Sequence, residues 1–230
     1  MLLAVNLAHA GTDDFHTGLE YGKDGLYPEA ARAFAHSAKT EPASGTFLNL
    51  GLVEWQRGHA GAAILAWEQA QWLDPFDARI ENNLKFARQI AQVDAPELQW
   101  YETASTWLPP YAWLWLAGVS LWVTVALLVL PGVCRRRVRS WQQALAAVAF
   151  GIFLFSLTAN AGVVSRTNIG FVVKRNASLR LTPTRDSEVT ATLTAGEPAR
   201  QLRSRGNYVF VRTLNGSGWV GRDEFQLVCP

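Results

Sequence analysis

The chain has 230 residues, of which 49% are hydrophobic, and a formal net charge of +2. No stretch has the basic and aromatic clustering of a nucleic-acid-binding surface, and two cysteines are too few for a disulfide framework. The small net charge conceals a division, because residues 11–108 hold 14 acidic and 7 basic side chains, whereas the chain from Val164 onward holds 10 basic and 5 acidic ones. These parts can attract each other, or separate partners, over the roughly 8–10 Å that salt screening allows.

The first ten residues favour a truncated signal peptide. Residues 1–7 are mostly apolar, and Ala8-His9-Ala10 has the small-x-small shape of a signal-peptidase site. The usual basic segment is missing and the apolar run is short, so an apolar N-terminus without a targeting role is the alternative.

Residues 11–76 repeat with a period of 33. The recurring pairs are Gly18 and Gly51, Gly25 and Gly58, Ala30 and Ala63, Phe34 and Trp67, and Pro42 and Pro75. The first glycine of each copy predicts a close crossing of two helices under an aromatic ring, and the proline ends the second helix. A further amphipathic helix is predicted over residues 77–93, with Ile80, Leu84, Ala87, Ile90 and Ala91 on the face that caps the second repeat.

This pattern resembles the tetratricopeptide repeat. The resemblance implies an all-α unit over residues 11–93 whose concave groove binds a peptide or helix of a protein partner. The groove residues that it implies are Asn49, Leu52, Trp55, Gln56 and Asn83. For the two asparagines the alternative is that they satisfy backbone groups at helix ends.

An interfacial linker helix is predicted over residues 94–110, where Trp100, Tyr101 and Trp107 have near-helical spacing. Two long stretches without charged residues follow, 111–133 and 141–164. Each exceeds the roughly 20 residues that a helix needs to cross the hydrocarbon core. The pattern predicts a hairpin of two transmembrane helices, in preference to two buried helices of a soluble protein.

The loop 134–140 between these stretches is rich in arginine: Arg135, Arg136, Arg137 and Arg139. The positive-inside rule predicts that this loop is cytoplasmic and that the segments before and after the hairpin are both extracytoplasmic. Cys134 and Cys229 then lie on opposite sides of the membrane and do not pair.

Residues 168–228 contain six short strand-like runs separated by Gly, Pro, Asn and Asp, which predicts a small all-β barrel of five or six strands. Leu179-Arg180-Leu181-Thr182-Pro183, Gly206-Asn207-Tyr208-Val209-Phe210 and Gly218-Trp219-Val220-Gly221 resemble the bacterial SH3-like (SH3b) domain. That resemblance implies binding of cell-wall peptides or protein partners. The candidate ligand-binding residues are Tyr208, Trp219, Arg203 and Arg205. The alternatives are a core position for the tryptophan and a solvated face for the arginines.

The four histidines are scattered, and no metal-ligand spacing, phosphate-binding glycine loop, nucleophile elbow or carboxylate pair is recognisable. The sequence predicts a chain that is not an enzyme, with no catalytic, cofactor-binding or metal-binding residue.

The order of these parts predicts a multidomain α + β protein and resembles the BatE-type proteins of bacterial aerotolerance operons. Those proteins are proposed to work beside von Willebrand factor A-domain membrane proteins and a MoxR-type ATPase. The resemblance implies a scaffold in the bacterial inner membrane that binds other envelope-complex subunits. A peptidoglycan-binding envelope sensor and an accessory subunit of a membrane enzyme complex are the alternatives.

Overall fold

The structure is a computed structural model that describes residues 2–133, 139–214 and 216–229, without the side chains of residues 2–12 and 132. This part of the chain forms eight helices and a seven-stranded antiparallel sheet, which is a mixed α + β architecture. It divides into two compact units. The first combines the residues up to Glu97 with those from Thr167 onward, and the second is Leu98–Arg166.

Five helices open the first unit: α1 Leu2–Lys23, α2 Tyr27–Thr40, α3 Ser44–Gln56, α4 Ala60–Leu73 and α5 Ala78–Ala91. We call them the N-terminal helices. The predicted signal peptide, residues 1–10, falls on the start of α1, where no side chain is described.

The helix pairs α1–α2 and α3–α4 share their turn geometry and their close contacts. Gly25 and Gly58, which are 33 positions apart, have φ angles of 75° and 77°, in the left-handed region that glycine adopts without a steric penalty. A Cβ atom on Gly18 would lie 2.8 Å from the ring of Phe34, and one on Gly51 would overlap the ring of Trp67. Both glycines therefore lie directly under an aromatic side chain of the following helix.

Helix α5 is shorter than the predicted segment 77–93. It begins after Asp77, whose carboxylate accepts a hydrogen bond from the Arg79 N–H at 2.9 Å, and it ends at Gln92 in a left-handed conformation. Ile80, Leu84 and Ala87 are buried as predicted. The prediction for Ile90 is wrong, because this side chain is 60% exposed and lines a pocket at the last turn of the helix.

Seven short strands form the rest of the first unit: β1 Ile169–Val172, β2 Ala177–Arg180, β3 Val189–Leu193, β4 Pro198–Arg205, β5 Tyr208–Thr213, β6 Gly216–Gly221 and β7 Phe225–Leu227. We call them the C-terminal sheet. Their order is β3-β2-β6-β5-β4-β1-β7, and every neighbouring pair is antiparallel. The sequence did not predict β7, which pairs with β1 at the edge of the sheet.

Alternation along the strands separates an inner from an outer face. Val209, Val211 and Val220 belong to the buried cluster on the inner face. Because successive side chains of a strand point to opposite faces, Phe210 and Trp219 lie on the outer face.

The N-terminal helices and the C-terminal sheet pack at backbone distance within the first unit. A Cβ atom on Gly61, in the first turn of α4, would lie 2.6 Å from the carbonyl oxygen of Val172 in β1. That same oxygen accepts a hydrogen bond from the N–H of Gly196 at 2.7 Å. Only a residue without a side chain fits this approach of helix and strand.

The second unit contains α6 Trp100–Ser105, α7 Pro110–Val133 and α8 Ser140–Arg166. α7 and α8 are long and apolar enough to cross a membrane. They cover the predicted spans 111–133 and 141–164. α6 occupies only part of the predicted linker helix, and of the loop 134–140 residues 134–138 lie outside the described residues.

Small and hydroxylated residues fill the buried positions of α7 and α8. Apart from Trp113 near the start of α7, the buried side chains of this pair include Ala117, Ser120, Thr124, Ala146, Ala149, Ser156 and Ala159. The hydroxyls of Ser120, Thr124 and Ser156 donate to carbonyl oxygens one turn earlier in their own helices, at 2.6–2.8 Å. Buried polar groups are thereby satisfied without a partner helix.

A buried carboxylate ties α6 to the end of α8. Glu102 is fully buried, and it accepts hydrogen bonds from the backbone N–H of Gln99 at 2.9 Å and from the hydroxyl of Ser165 at 2.5 Å. Arg166 donates to the hydroxyl of Ser105 at 3.2 Å. A buried charge is costly without such partners, so this set of bonds holds α6 in place.

Candidate functional site

The residues predicted for the groove lie on α3 and α5. The side-chain amide of Asn49 donates to the carbonyl of Gly45, one turn earlier in α3, at 2.8 Å. Asn83 is half-buried on α5, and Leu52 and Gln56 are exposed on α3. The amide of Asn49 thus has a hydrogen-bond partner within its own helix.

Trp55 and Leu52, which the sequence predicted for the groove, belong to an exposed apolar surface to which the sequence did not assign Phe86 and Ile90. The ring centroid of Trp55 lies 6.0 Å from that of Trp67 and 5.6 Å from that of Phe86. Phe86 is 54% exposed and Ile90 60% exposed. We call Leu52, Trp55, Phe86 and Ile90 the helical strip. The signal for it was present in the sequence, because Phe86 and Ile90 are four residues apart and so share a face of α5.

The helical strip ends in a pocket of about 380 Å³. Its walls are Trp55, Gly58, Ala60, Ile90 and Ala91 from the N-terminal helices and the turn between α3 and α4, and Arg175, Asn176, Thr194 and Ala195 from the β1–β2 and β3–β4 loops. Arg175 reaches across and donates from Nη2 to the carbonyl of Gly58 at 3.1 Å. The volume and the mixture of many apolar and few polar side chains are typical of ligand-binding pockets.

The other cations near the pocket have carboxylate partners. Glu54 accepts hydrogen bonds from Arg57 at 2.7 Å and from His59 at 2.8 Å. Lys174 pairs with Asp223, and this hydrogen bond raises the pKa of Lys174 and lowers the pKa of Asp223. Among the described residues, no carboxylate pairs with Arg175.

The outer face of the C-terminal sheet carries a second candidate surface. The guanidinium of Arg203 lies 4.6 Å from the ring centroid of Phe210 and 5.4 Å from that of Trp219. The two rings pack edge to face at 5.3 Å, and the three residues are neighbours in register on β4, β5 and β6. We call these three residues the sheet surface. The sequence missed Phe210, although its place between the inner residues Val209 and Val211 points it outward.

The other residues predicted for this surface lie close to it. Tyr208 is half-buried and pairs in register with the exposed Arg205, two positions along the strands from Phe210 and Arg203. Trp219 is only 7% exposed, although it lies on the outer face. Its indole is therefore covered without belonging to the inner core, and Arg203 and Phe210 both contact it.

Of the four arginines predicted to set the topology, Arg135, Arg136 and Arg137 lie outside the described residues. Arg139 is exposed, and its N–H donates to the side chain of Gln142 at 2.8 Å at the start of α8.

The described side chains include no group of three or more His, Cys, Asp or Glu residues that could hold a metal ion. The pocket and the two aromatic surfaces instead offer apolar contact area and guanidinium groups. Such surfaces bind apolar side chains and anionic groups.

No family model matches the chain, and neither a curated protein nor a solved structure is detectably similar to it. Its function is therefore inferred from its own residues.

Proposed function

We propose that this chain is a non-catalytic, membrane-anchored scaffold of a bacterial envelope complex, similar to the BatE-type proteins. In this proposal the N-terminal helices are tetratricopeptide repeats with a capping helix, and they bind a protein partner. The C-terminal sheet is an SH3-like domain that binds a second partner or the cell wall. α7 and α8 cross the inner membrane and hold both parts on its outer side.

The observation that carries the proposal is the helical strip. Leu52, Phe86 and Ile90 are 43–60% exposed on α3 and α5, and the ring of Phe86 packs against that of Trp55. Contiguous exposed apolar side chains on a water-facing surface mark interaction sites. Aromatic residues such as Trp55 and Phe86 contribute disproportionately to binding energy in protein interfaces.

Two further features support the assignment of the parts. The turn glycines Gly25 and Gly58 and the ring-covered glycines Gly18 and Gly51 recur at a spacing of 33, close to the 34 residues of a tetratricopeptide repeat. The strands of the C-terminal sheet are short and antiparallel and enclose one compact apolar cluster, as in small barrels.

The chain segments that make up the first unit support the proposed topology. One segment precedes the α7–α8 hairpin and the other follows it. Segments that fold together must lie in the same compartment, so the chain between them crosses the membrane an even number of times. The arginine-rich loop then favours an extracytoplasmic first unit and a cytoplasmic loop.

The proposal is tested by purifying the full-length chain from membranes in mild detergent and identifying the proteins that accompany it. We expect Phe86→Glu to abolish the association of a specific envelope protein, because it places a charge in the helical strip. Leu181→Glu is the matched control, since Leu181 is 54% exposed, directly follows β2 and lies outside the strip.

Three outcomes would contradict the scaffold. One is release of the chain from membranes by alkaline carbonate, and another is an equal loss of association in both variants. The third is retention of the chain on purified cell-wall sacculi that requires Arg203 and Phe210, without any co-purifying protein, which would favour the peptidoglycan sensor.

A further inference from the structure

The pocket at the end of the helical strip is lined by one charged side chain, the guanidinium of Arg175. Arg175 is exposed and has a backbone carbonyl as its hydrogen-bond partner. A guanidinium carries five N–H donors in a planar fork that matches a carboxylate. The bond from Nη2 to Gly58 orients the group and uses only one of these donors.

Within the described part of the chain, Arg175 lines the pocket as a cation without a carboxylate partner. Glu54 is shared by Arg57 and His59, and Asp223 balances Lys174. The first turn of α4, which begins at Ala60, adds a weaker positive potential to the same rim. An anionic group at Arg175 therefore complements the local charge.

The other residues that line the pocket indicate which chemical groups the anionic ligand carries. Trp55, Ile90 and three alanines provide an apolar surface for one side chain, while Asn176 and Thr194 are polar. The side chain of Asn both donates and accepts hydrogen bonds, and the hydroxyl of Thr does the same. That combination matches a peptide group.

We propose that this pocket binds the C-terminal end of a partner polypeptide. The last side chain, which is apolar, packs against Trp55 and Ile90, and the terminal carboxylate pairs with Arg175. The volume of about 380 Å³ is within the range of ligand pockets. The inference rests on the proposed function only in that its ligand belongs to a protein partner.

The test measures binding of a fluorescein-labelled peptide, Ser-Gly-Ser-Gly-Leu, to the full-length chain in detergent by fluorescence anisotropy, with empty micelles as the blank. The same peptide with an amidated C-terminus is the second probe, and decanoate is a competitor that tests for a lipid carboxylate. We expect amidation to weaken binding about tenfold or more, because a hydrogen bond to a charged group is lost.

Two variants separate the pocket from general charge. Arg175→Gln retains a donor for Gly58 and should weaken binding of the free-acid peptide about tenfold, with no further effect of amidation. Arg212→Gln removes an exposed charge on β5 and should change binding less than about twofold. The melting temperatures of both variants should match that of the unsubstituted chain.

Equal binding of the acid and amide peptides, equal effects of the two variants, or no binding at millimolar peptide would each overturn the inference. Binding of decanoate in preference to the peptide would overturn the peptide as its ligand. Any of these results leaves the Phe86-dependent association untouched, so failure of the pocket and failure of the scaffold are distinguishable.

Discussion

Two helical hairpins of this molecule, α3–α4 and α7–α8, have opposite distributions of side chains. In α3–α4 the large apolar residues, such as Phe47, Ile64 and Trp67, are buried. In α7–α8 the large residues Trp115 and Trp122 are 74% exposed, whereas alanines and serines fill most of the buried positions.

The difference follows from the solvent that each hairpin is suited to. In water, burial of large apolar side chains drives helices together. In lipid that driving force is absent, and small residues allow the close packing that holds transmembrane helices together. The two helical hairpins therefore require different residues at the helix contact.

Replacing a large aromatic residue in each hairpin tests this comparison, and one of the two replacements should cause the largest loss of stability. Trp67→Ala removes a buried indole that also donates to the carbonyl of Leu48 at 3.2 Å, and it should cost about 3–5 kcal/mol of unfolding free energy. Trp122→Ala, in the exposed face of α7, should cost about 0.5 kcal/mol or less. Denaturant unfolding of the detergent-solubilised chain measures both, and similar losses would contradict the assignment of α7 to lipid.

A smaller effect is expected from enlarging a residue in the contact between α7 and α8. Ser156 is fully buried, so Ser156→Leu should overpack the contact and cost about 1–3 kcal/mol. The control is Leu157→Ala at the next position, which is 48% exposed, and lipid can fill the space that it leaves. Thermal stability in detergent micelles or lipid nanodiscs compares them. The proposed packing is wrong if Leu157→Ala is the more destabilising change.

The smallest effect on stability is expected from removing the charge of Asp77 at the surface of the first unit. Hydrogen bonds from the side chain and the backbone of Arg79 hold the pKa of Asp77 below its usual value of 3.8. A lowered carboxyl pKa stabilises the fold above that usual value, and the contribution is lost as the pH falls through the folded-state pKa. Asp77→Asn keeps a good helix N-cap but not the charge.

Thermal melts of the two chains between pH 3 and pH 7 should therefore show a small advantage of Asp77 at neutral pH that shrinks as the pH falls below about 4. An advantage of equal size at pH 3 and pH 7 would mean that the charge of Asp77 does not contribute to it. No such pH dependence is expected of α7, which carries no ionisable carboxyl or amino side chain.

Much of this arrangement could be predicted because it depends on local pattern. The absence of charge between Glu102 and Arg135 and between Arg139 and Arg166 delimits both long helices. The recurrence of Gly18 as Gly51 predicted the close contacts with Phe34 and Trp67. In each case the information lies within a few turns of helix.

The pocket could not be predicted, because Gly58 and Arg175 are 117 positions apart in the chain. Strand β7 has three residues, which is too short for alternation to be recognised. Glutamate is usually found at the protein surface, and the burial of Glu102 depends on Ser165 at the far end of α8. These features arise from tertiary contacts that no local pattern records.

The contact between Gly61 and β1 also orders the biogenesis of the chain. The ribosome completes α4 long before it reaches Val172, and the whole hairpin is translated in between. The first unit can therefore close only after the residues beyond α8 have been synthesised. A chain interrupted between these two points would leave the Gly61 side of α4 without the strand that packs on it.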